Sequence, residues 1–367
     1  MVGMRDVAKQ AGVSLSTVSL VVNDAGYVSE GKRERVVEAM RLLNYVPNEL
    51  ARNLYRDRTN TIGVIVPTIR HPFFATFTSV LQREFSARGL RTMLCSTEDS
   101  DKGESEYVDM LRRHMMDGIV MSSHTMHPVD YWTSISRPIV AFDRYLGPGI
   151  PLVGSDHESG GHMVADLLIR SGARHVAMIG GLRSQFHDLA MRGAPGTGER
   201  DTTFPTACYY LTLEQDLRAA GVRYDYVEAG GVGDFEGYAI AVHNALEWFG
   251  NDHAVDAGCF DDDDAVDAIV SSDIGASYAV QAALRCGLRV PDDVQIIAYD
   301  GTYLTGTAGV RLTAVRQDFN AIATAVVARM IALIEGEDAP SESSAEDAAP
   351  QPVDLIPVSL HLGDSTR

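Results

Sequence analysis

The sequence predicts a small all-α headpiece, joined by a short hinge helix to a larger α/β domain built as two parallel-sheet subdomains. Three observations predict it. Residues 6–22, DVAKQAGVSLSTVSLVV, place small, turning and apolar residues at the spacing of two crossing helices. From Thr61 the chain changes to short apolar strands alternating with amphipathic helices, and that alternation runs through twice. A length of 367 residues exceeds one typical core, and a prior of roughly 150 residues per domain allows two or three units. The boundaries that follow are a headpiece at 1–46, a hinge helix and linker at 47–60, and the α/β domain at 61–367. Within the last, one subdomain takes about 61–157 with a later crossover segment near 301–318, and the other takes about 158–300 with 319–367.

In the headpiece, Ala8, Gly12 and Val18 supply a small residue at the helix contact, a residue free to turn and an apolar anchor, and Val7 and Val13 complete the face. Ser14 is placed to cap the second helix by accepting from an orphan backbone N–H, so that Leu15, Ser16 and Thr17 form its first turn. In a DNA-binding pair of this geometry that turn enters the major groove while the first helix crosses the phosphates. A hairpin inside some larger core is the bland alternative; the polar face of Ser16, Thr17 and Ser19 counts against it. After a loop at 23–28, Ser29 caps a third helix running to about Leu43. Val36, Val37, Met40 and Leu43 recur there at helical spacing, with Lys32, Arg33, Glu34, Arg35 and Glu38 on the wet side.

Pro47 stops this unit, and Asn48 can cap a further short helix ending near Tyr55. Such a helix is too short to stand alone. Paired with a second copy in a minor groove, Leu54 is placed to wedge between base pairs and Arg52 to reach the groove or its phosphates. A frayed linker is compatible with the same residues, because the helix can form only on DNA.

From Thr61 the strands TIGVIVP, LRTMLCS, DGIVMS and RPIVAFD alternate with helices at about 74–87, 104–116 and 159–169. ARHVAMIGG, the helix of LTLEQDLRAAG, the strand DAIVSS, the helix of GASYAVQAALRCG and the strand VQIIAYDG repeat the pattern, and DLIPVSLHL is a final strand. Sheets of this kind bind small ligands in a cleft at the carboxyl ends of their strands. Pro, Ser, Ala and acidic residues at about 336–352 mark a disordered surface insertion.

A formal charge of −19 argues against broad nucleic-acid binding, but the charge is uneven. Residues 1–60 carry nine Lys and Arg against seven Asp and Glu, so any DNA contact belongs there, and a headpiece this weakly basic is expected to work as a dimer. Cys95, Cys208, Cys259 and Cys286 lie far apart with no zinc spacing, which predicts reduced core residues, no metal site and no cofactor. The start MVGMRDVAKQ lacks the pattern of a secretory signal and no stretch approaches a membrane span, so a cytoplasmic location is expected.

The phrases RDVAKQAGVSLSTVS, YVSEGKRERVVEAM, LNYVPNELARNL, TIGVIVP with HPFFA, CSTEDSDKGESEYVDMLRRHMMDGIV, SDHESGG, GARHVAMIGG, SSDIGASYAVQAALRCGLRVPDDVQIIAYDG and LTAVRQ together cover most of the chain. In them it resembles the lac repressor/galactose repressor (LacI/GalR) family of transcription factors. The resemblance implies a homodimer, or a dimer of dimers, in which a sensory domain like the periplasmic sugar-binding proteins controls a helix-turn-helix headpiece through the hinge helix. It implies double-stranded, pseudo-palindromic operator DNA and a small sugar as partners, with repression of carbohydrate-utilisation genes as the outcome. Leu15, Ser16 and Leu20, behind the cap Ser14, match positions that select operator bases, and Thr17, Ser19, Asn23, Ser29 and Tyr45 match positions near phosphates. Asn48, Ala51, Arg52 and Leu54 fall on the hinge helix, with Leu54 as the wedge. Leu20 departs from the family, where Arg or His is frequent, and offers only apolar contact such as to a thymine methyl.

In the sensory domain Phe73 and Phe74 match aromatic residues at the cleft mouth, where a sugar face can stack. Asp143, Arg144, Asp156 and, foremost, Asp273 match polar cleft positions; carboxylates suit sugars because each accepts several hydroxyl hydrogen bonds. Capping of the following helices is the alternative for Asp156 and Asp273, and plain burial for Phe73. The phrase IIAYDGTYLT resembles the sucrose-type members, which implies a sucrose-like or fructose-containing effector. Between Gly181 and Leu213 the chain is longer than the family pattern, and Tyr209 stands where an effector-binding Arg is common; Arg192 or Arg200 can substitute.

Rival chemistry has little support. GGVGDFEG lacks a clean preceding strand and a Walker lysine and reads as a turn, and DDDD at 261–264 lacks the glycine turn and terminal Glu of a calcium loop. With neither HExxH nor GxSxG, no enzyme is expected. A solute-binding protein without DNA function has no use for the first sixty residues, and a sugar-processing enzyme of the same fold would convert its sugar.

Overall fold

The computed structural model describes residues 2–47, 58–99, 103–123, 127–186, 202, 204–250, 265–336 and 353–367. They form two compact units, Met1–Thr59 and Asn60–Arg367.

The headpiece is three helices, α1 (Met4–Ala11), α2 (Leu15–Asn23) and α3 (Glu30–Leu42). Gly12 makes the turn at φ 64°, a conformation that costs a side chain and is free to glycine, and its N–H closes α1 onto the Ala8 carbonyl. Ser14 caps α2 as expected: its Oγ accepts from the Thr17 N–H at 3.1 Å. Val7, Val18 and Val36 are fully buried, with Ala8, Ala11, Val21 and Ala39 closing the core around them. Spacing placed Val37 on that face too, yet it points to solvent. Ser29 occupies the cap position of α3 but makes no side-chain cap bond. The hinge helix expected at 48–55 lies outside the described residues.

In the second unit, β1 (Thr61–Val66), β2 (Arg91–Ser96), β3 (Gly118–Met121), β4 (Ile139–Phe142), β5 (Leu152–Ser155) and β11 (Val353–Ile356) form one sheet, in the order β11-β5-β4-β3-β1-β2. A second sheet has the order β12-β10-β9-β8-β6-β7, built from β6 (His175–Gly180), β7 (Arg223–Glu228), β8 (Ala268–Ser272), β9 (Gln295–Asp300), β10 (Thr313–Arg316) and β12 (Ser359–His361). All pairings are parallel except β12 on β10. Central strands such as β3, β4, β6 and β9 are buried along their whole length, and so read as unbroken apolar runs rather than alternating ones. Helices α4 (Pro72–Ser86), α5 (Gly103–Arg112) and α6 (Val129–Thr133) belong to the first subdomain, and α7 (His157–Arg170), α8 (Pro205–Ala219), α9 (Phe235–Gly250) and α10 (Asp273–Arg285) to the second.

Three parts of the expected organisation change. The segments near 301–318 and 319–335 are exchanged between subdomains: β10 stays in the second sheet, paired to β9 with Thr313 opposite Ile297. Helix α11 (Phe319–Glu335) returns to the first, where Ile322, Ala323, Val326, Val327 and Met330 share a core with Ile62, Val64, Phe77 and Phe142. Second, the expected final strand is two strands in two sheets. Pro357 cannot donate to a ladder, and at that point the chain leaves β11, parallel to β5, for β12, antiparallel to β10. Third, GGVGDFEG does follow a strand, β7, whose half-exposed edge residues form no apolar run. Of the cysteines, Cys95 is buried but Cys286 is exposed.

Helices α7 and α8 meet at Gly161, where an added Cβ would stand 2.7 Å from both the Thr212 Cβ and the Tyr209 carbonyl oxygen. Neither atom can yield cheaply, so Gly161→Ala is expected to destabilise the second subdomain by about 1–3 kcal/mol, read as a lowered midpoint in chemical unfolding.

Candidate functional site

A cleft opens between the two sheets, and its walls come from the carboxyl ends of strands in both. His71 follows β1, Ser122 follows β3, and Asp143 and Arg144 follow β4; Gly180, Ser272 and Asp300 end β6, β8 and β9, and Gln317 follows β10. A parallel sheet sends all its carboxyl ends to one edge, which is why residues so far apart in sequence converge.

The floor is aromatic. Phe73 and Phe74 meet edge to face at 5.1 Å, Phe73 lies 6.0 Å from Phe142, and Tyr209 lies 4.1 Å from Tyr299. Both Phe73 and Phe74 line the cleft, and both are also buried, so the binding reading and the burial reading of Phe73 describe one side chain.

The rim is polar and bonded to itself. Asp143, at φ 58°, turns its Oδ1 to accept from the Ser155 N–H at 2.9 Å and to pair with His157 Nε2 at 3.0 Å. His157 Nδ1 in turn meets the Tyr299 hydroxyl. Gln317 donates from Nε2 to Asp300 Oδ1 at 2.8 Å and accepts from Ser155 Oγ at 2.6 Å. Arg144 is buried with its guanidinium 3.5 Å from the centre of the Phe204 ring, a cation–π contact that holds it on the wall. His71 caps α4 by accepting from the Phe73 N–H at 3.3 Å, and burial pushes its pKa down to about 4, so it is neutral at physiological pH.

Two expected polar residues stand elsewhere. Asp156 caps α7, accepting from the Ser159 N–H at 3.0 Å and from its Oγ at 2.6 Å, and does not line the cleft. Asp273 is buried beneath it: one oxygen accepts from the Gly301 N–H at 3.2 Å, the other from the Thr302 N–H at 2.5 Å and its hydroxyl at 2.6 Å. The residue that reaches the cleft is its neighbour Ser272, and Asp300 joins Asp143 as a carboxyl side chain lining it. Burial raises Asp273 to about 6, and burial together with the nearby Asp273 raises Asp300 well above the carboxylate range. Sequence reasoning missed Ser272, Asp300, Gln317, His157 and Tyr299, although the phrases SDHESGG, IIAYDG and LTAVRQ had carried four of them. Arg192 and Arg200 lie outside the described residues.

On the headpiece, Leu15 and Ser16 are exposed in the first turn of α2, as base-reading residues must be. Thr17, Ser19, Leu20 and Tyr45 are half-buried and Ser29 is exposed. Asn23 is buried and donates to Ser19 Oγ at 3.2 Å, which ties it to its own helix. Asn48, Ala51, Arg52 and Leu54 lie outside the described residues. No group of metal-ligating side chains converges among the described residues, and no helix there is long and apolar enough to cross a membrane.

Headpiece and cleft together define a class: a two-subdomain ligand-binding domain of the periplasmic-binding-protein type, carrying a helix-turn-helix DNA-binding unit. Residues 3–48 match the bacterial regulatory proteins of the lacI family; residues 59–194 match the periplasmic binding proteins and sugar binding domain of that family, and residues 165–366 a periplasmic binding protein-like domain. The sucrose operon repressor of Streptococcus mutans is 31% identical over 99% of this chain and 98% of its own. The ribose operon repressor of Halalkalibacterium halodurans is 31% identical over 90% and 91%. The lac repressor dimer bound to operator and an anti-inducer has the same fold, with a TM-score of 0.74 at 22% identity over 100% of this chain and 99% of that one. The chain belongs to the LacI family; it is a DNA-binding transcriptional regulator rather than an enzyme.

The raised Asp273 carboxyl fixes a pH dependence. Between about pH 4, where an unfolded Asp titrates, and about pH 6, the folded chain holds a proton that the unfolded chain has lost. The stability contribution of that proton is complete below this window and lost as pH rises through it. Unfolding midpoints of the parent should therefore fall more steeply across the window than those of Asp273→Asn; equal slopes would remove the assignment.

Proposed function

We propose that this regulator represses carbohydrate-utilisation genes from a pseudo-palindromic operator, as a homodimer in the cytoplasm, and that a neutral sugar of the sucrose type sets its operator affinity. The observation that carries the sugar reading is the cleft itself, with aromatic rings on its floor and a rim of Asp, Gln, Ser and His side chains drawn from both subdomains. Flat apolar sugar faces suit the rings, and hydroxyls suit the rim. The sucrose class is supported by the Streptococcus mutans relative. Effector contacts are assigned to Phe73, Phe74, Asp143, Arg144, Ser272, Asp300 and Gln317.

Because the cleft spans two subdomains, a sugar held by both favours one arrangement of them. Operator affinity changes by the difference in sugar affinity between arrangements, and the hinge helices at 48–55 are the element that forms or melts in response. Leu15, Ser16 and Leu20 read bases, while Leu54 wedges the minor groove.

Mobility shifts on the intergenic DNA upstream of its own gene, repeated with sucrose, ribose and galactosides, test the reading. Specific binding released by one sugar names an inducer, and binding strengthened by one names a corepressor. Specific binding indifferent to every sugar would defeat the sugar assignment, and absence of specific binding would defeat the operator assignment. In the same assay Leu54→Ala should weaken operator binding at least tenfold while calorimetric sugar affinity stays at the parent value; unchanged operator affinity would exclude the wedge.

A further inference from the structure

The two sheets share a device at the edge away from the cleft. Asp117 directly precedes β3 and Asp267 directly precedes β8; both are buried, and each leads into a strand that pairs with the first strand of its own subdomain. The Asp117 N–H donates to the Thr61 carbonyl at 2.8 Å, and the Asp267 N–H to the His175 carbonyl at 3.0 Å. Their carboxylates reach back to the chain entering that first strand. Asp117 Oδ2 accepts from the Asn60 N–H at 2.8 Å, and Asp267 Oδ1 accepts from the Arg174 and His175 N–H groups, both at 3.0 Å.

The two clamps hold different things. Into β6 runs the turn after α7, which its own subdomain already fixes: Ala173 is buried, and its N–H donates to the Leu168 carbonyl at 2.9 Å. Into β1 runs the linker from the headpiece, and Asn60 is the first residue of the second unit. Asn60 is held on both sides, its N–H by Asp117 and its carbonyl by the Arg91 N–H at 2.7 Å. Its φ of 52° lies in the left-handed region, which asparagine tolerates better than branched residues do. The first subdomain thus sets the path of the chain at Asn60. At their other ends β1 and β3 lead to His71 and Ser122 on the cleft wall, so the clamp and that wall share one pair of strands.

We propose that Asp117 is a positioning residue for operator binding: through Asn60 it fixes the linker where it joins the second unit, and so lowers the cost of ordering the hinge on DNA. The proposal rests on the operator reading above and deepens it. A hydrogen bond from a backbone N–H to a buried carboxylate is of the strong, charge-assisted kind, and a segment restricted beforehand loses less freedom when it binds. Asp117 does not line the cleft, so its effect falls on operator affinity through the linker.

The test is fluorescence anisotropy of the full-length parent and variants on the intergenic fragment upstream of the gene, without sugar, with thermal unfolding of each protein alongside. Asp117→Ala should weaken operator binding by about ten- to a hundredfold, and Asp117→Asn, which keeps an acceptor oxygen, should recover most of that loss. Asp267→Ala removes the matching clamp and should lower the thermal midpoint while leaving operator affinity at the parent value. Asn60 probes the contact from the linker side and leaves the buried carboxylate in place. Asn60→Gly, which adopts the left-handed conformation freely, should bind as the parent does, whereas Asn60→Val, strained there, should bind as weakly as Asp117→Ala. The Asn60 pair decides the matter if Asp117→Ala fails to fold. Parent-like operator affinity in Asp117→Ala or Asn60→Val would overturn the proposal, as would an equal loss in Asp267→Ala, which would leave both carboxylates with a structural role alone. If the parent shows no specific binding, the operator reading itself falls and takes this assignment with it.

Discussion

The effector-binding unit depends on the hydrogen bonds that tie its crossings together. The chain passes between the sheets at residues 155–157, 316–319 and 356–359, and at the first two the Ser155 Oγ donates to Gln317 Oε1 at 2.6 Å, fully inside the protein. Gln317 also holds Asp300, and Ser155 also holds Asp143, so the strand ends that frame the cleft are joined to the segments about which the subdomains would turn. Asp300 and Asp143 each stand one hydrogen bond from a residue at a crossing.

Burial gives this arrangement its electrostatic character. Two carboxyls, Asp273 and Asp300, stand close together in a poorly solvated place, where ionising both is unfavourable. Asp273 is compensated by two backbone N–H groups and a hydroxyl from the loop after β9, and Asp300 by the Gln317 amide. The cleft therefore keeps carboxyl groups without accumulating the negative charge that their number suggests, which suits an uncharged ligand.

Local patterns carried the headpiece and most of the sheet strands. The cap at Ser14, the turn at Gly12 and the apolar runs of β1, β3, β4, β6, β8 and β9 depend on neighbours in sequence, and a linear reading recovers them. What escaped was decided by distant partners. β7 is a half-exposed edge without an apolar run, and α11 carries a stripe that fits either sheet until its partners Phe77 and Phe142 are known. The site followed the same division. Phe73, Phe74, Asp143 and Arg144 stand at the cleft where the resemblance put them, whereas choosing between the adjacent Ser272 and Asp273 depends on the loop at 301–302, which takes up the carboxylate.

The split of residues 353–361 into one edge strand for each sheet bears on biogenesis. On the ribosome the ten other strands emerge first, and until β11 and β12 appear both sheets present open backbone beside β5 and β10. The two subdomains are thus completed together by one short segment; the edge beside β5 stays unpaired while the strands of the second sheet up to β10 are made, and the edge beside β10 only while α11 and the residues before β12 are made. Those edges are where association between unfinished chains would begin.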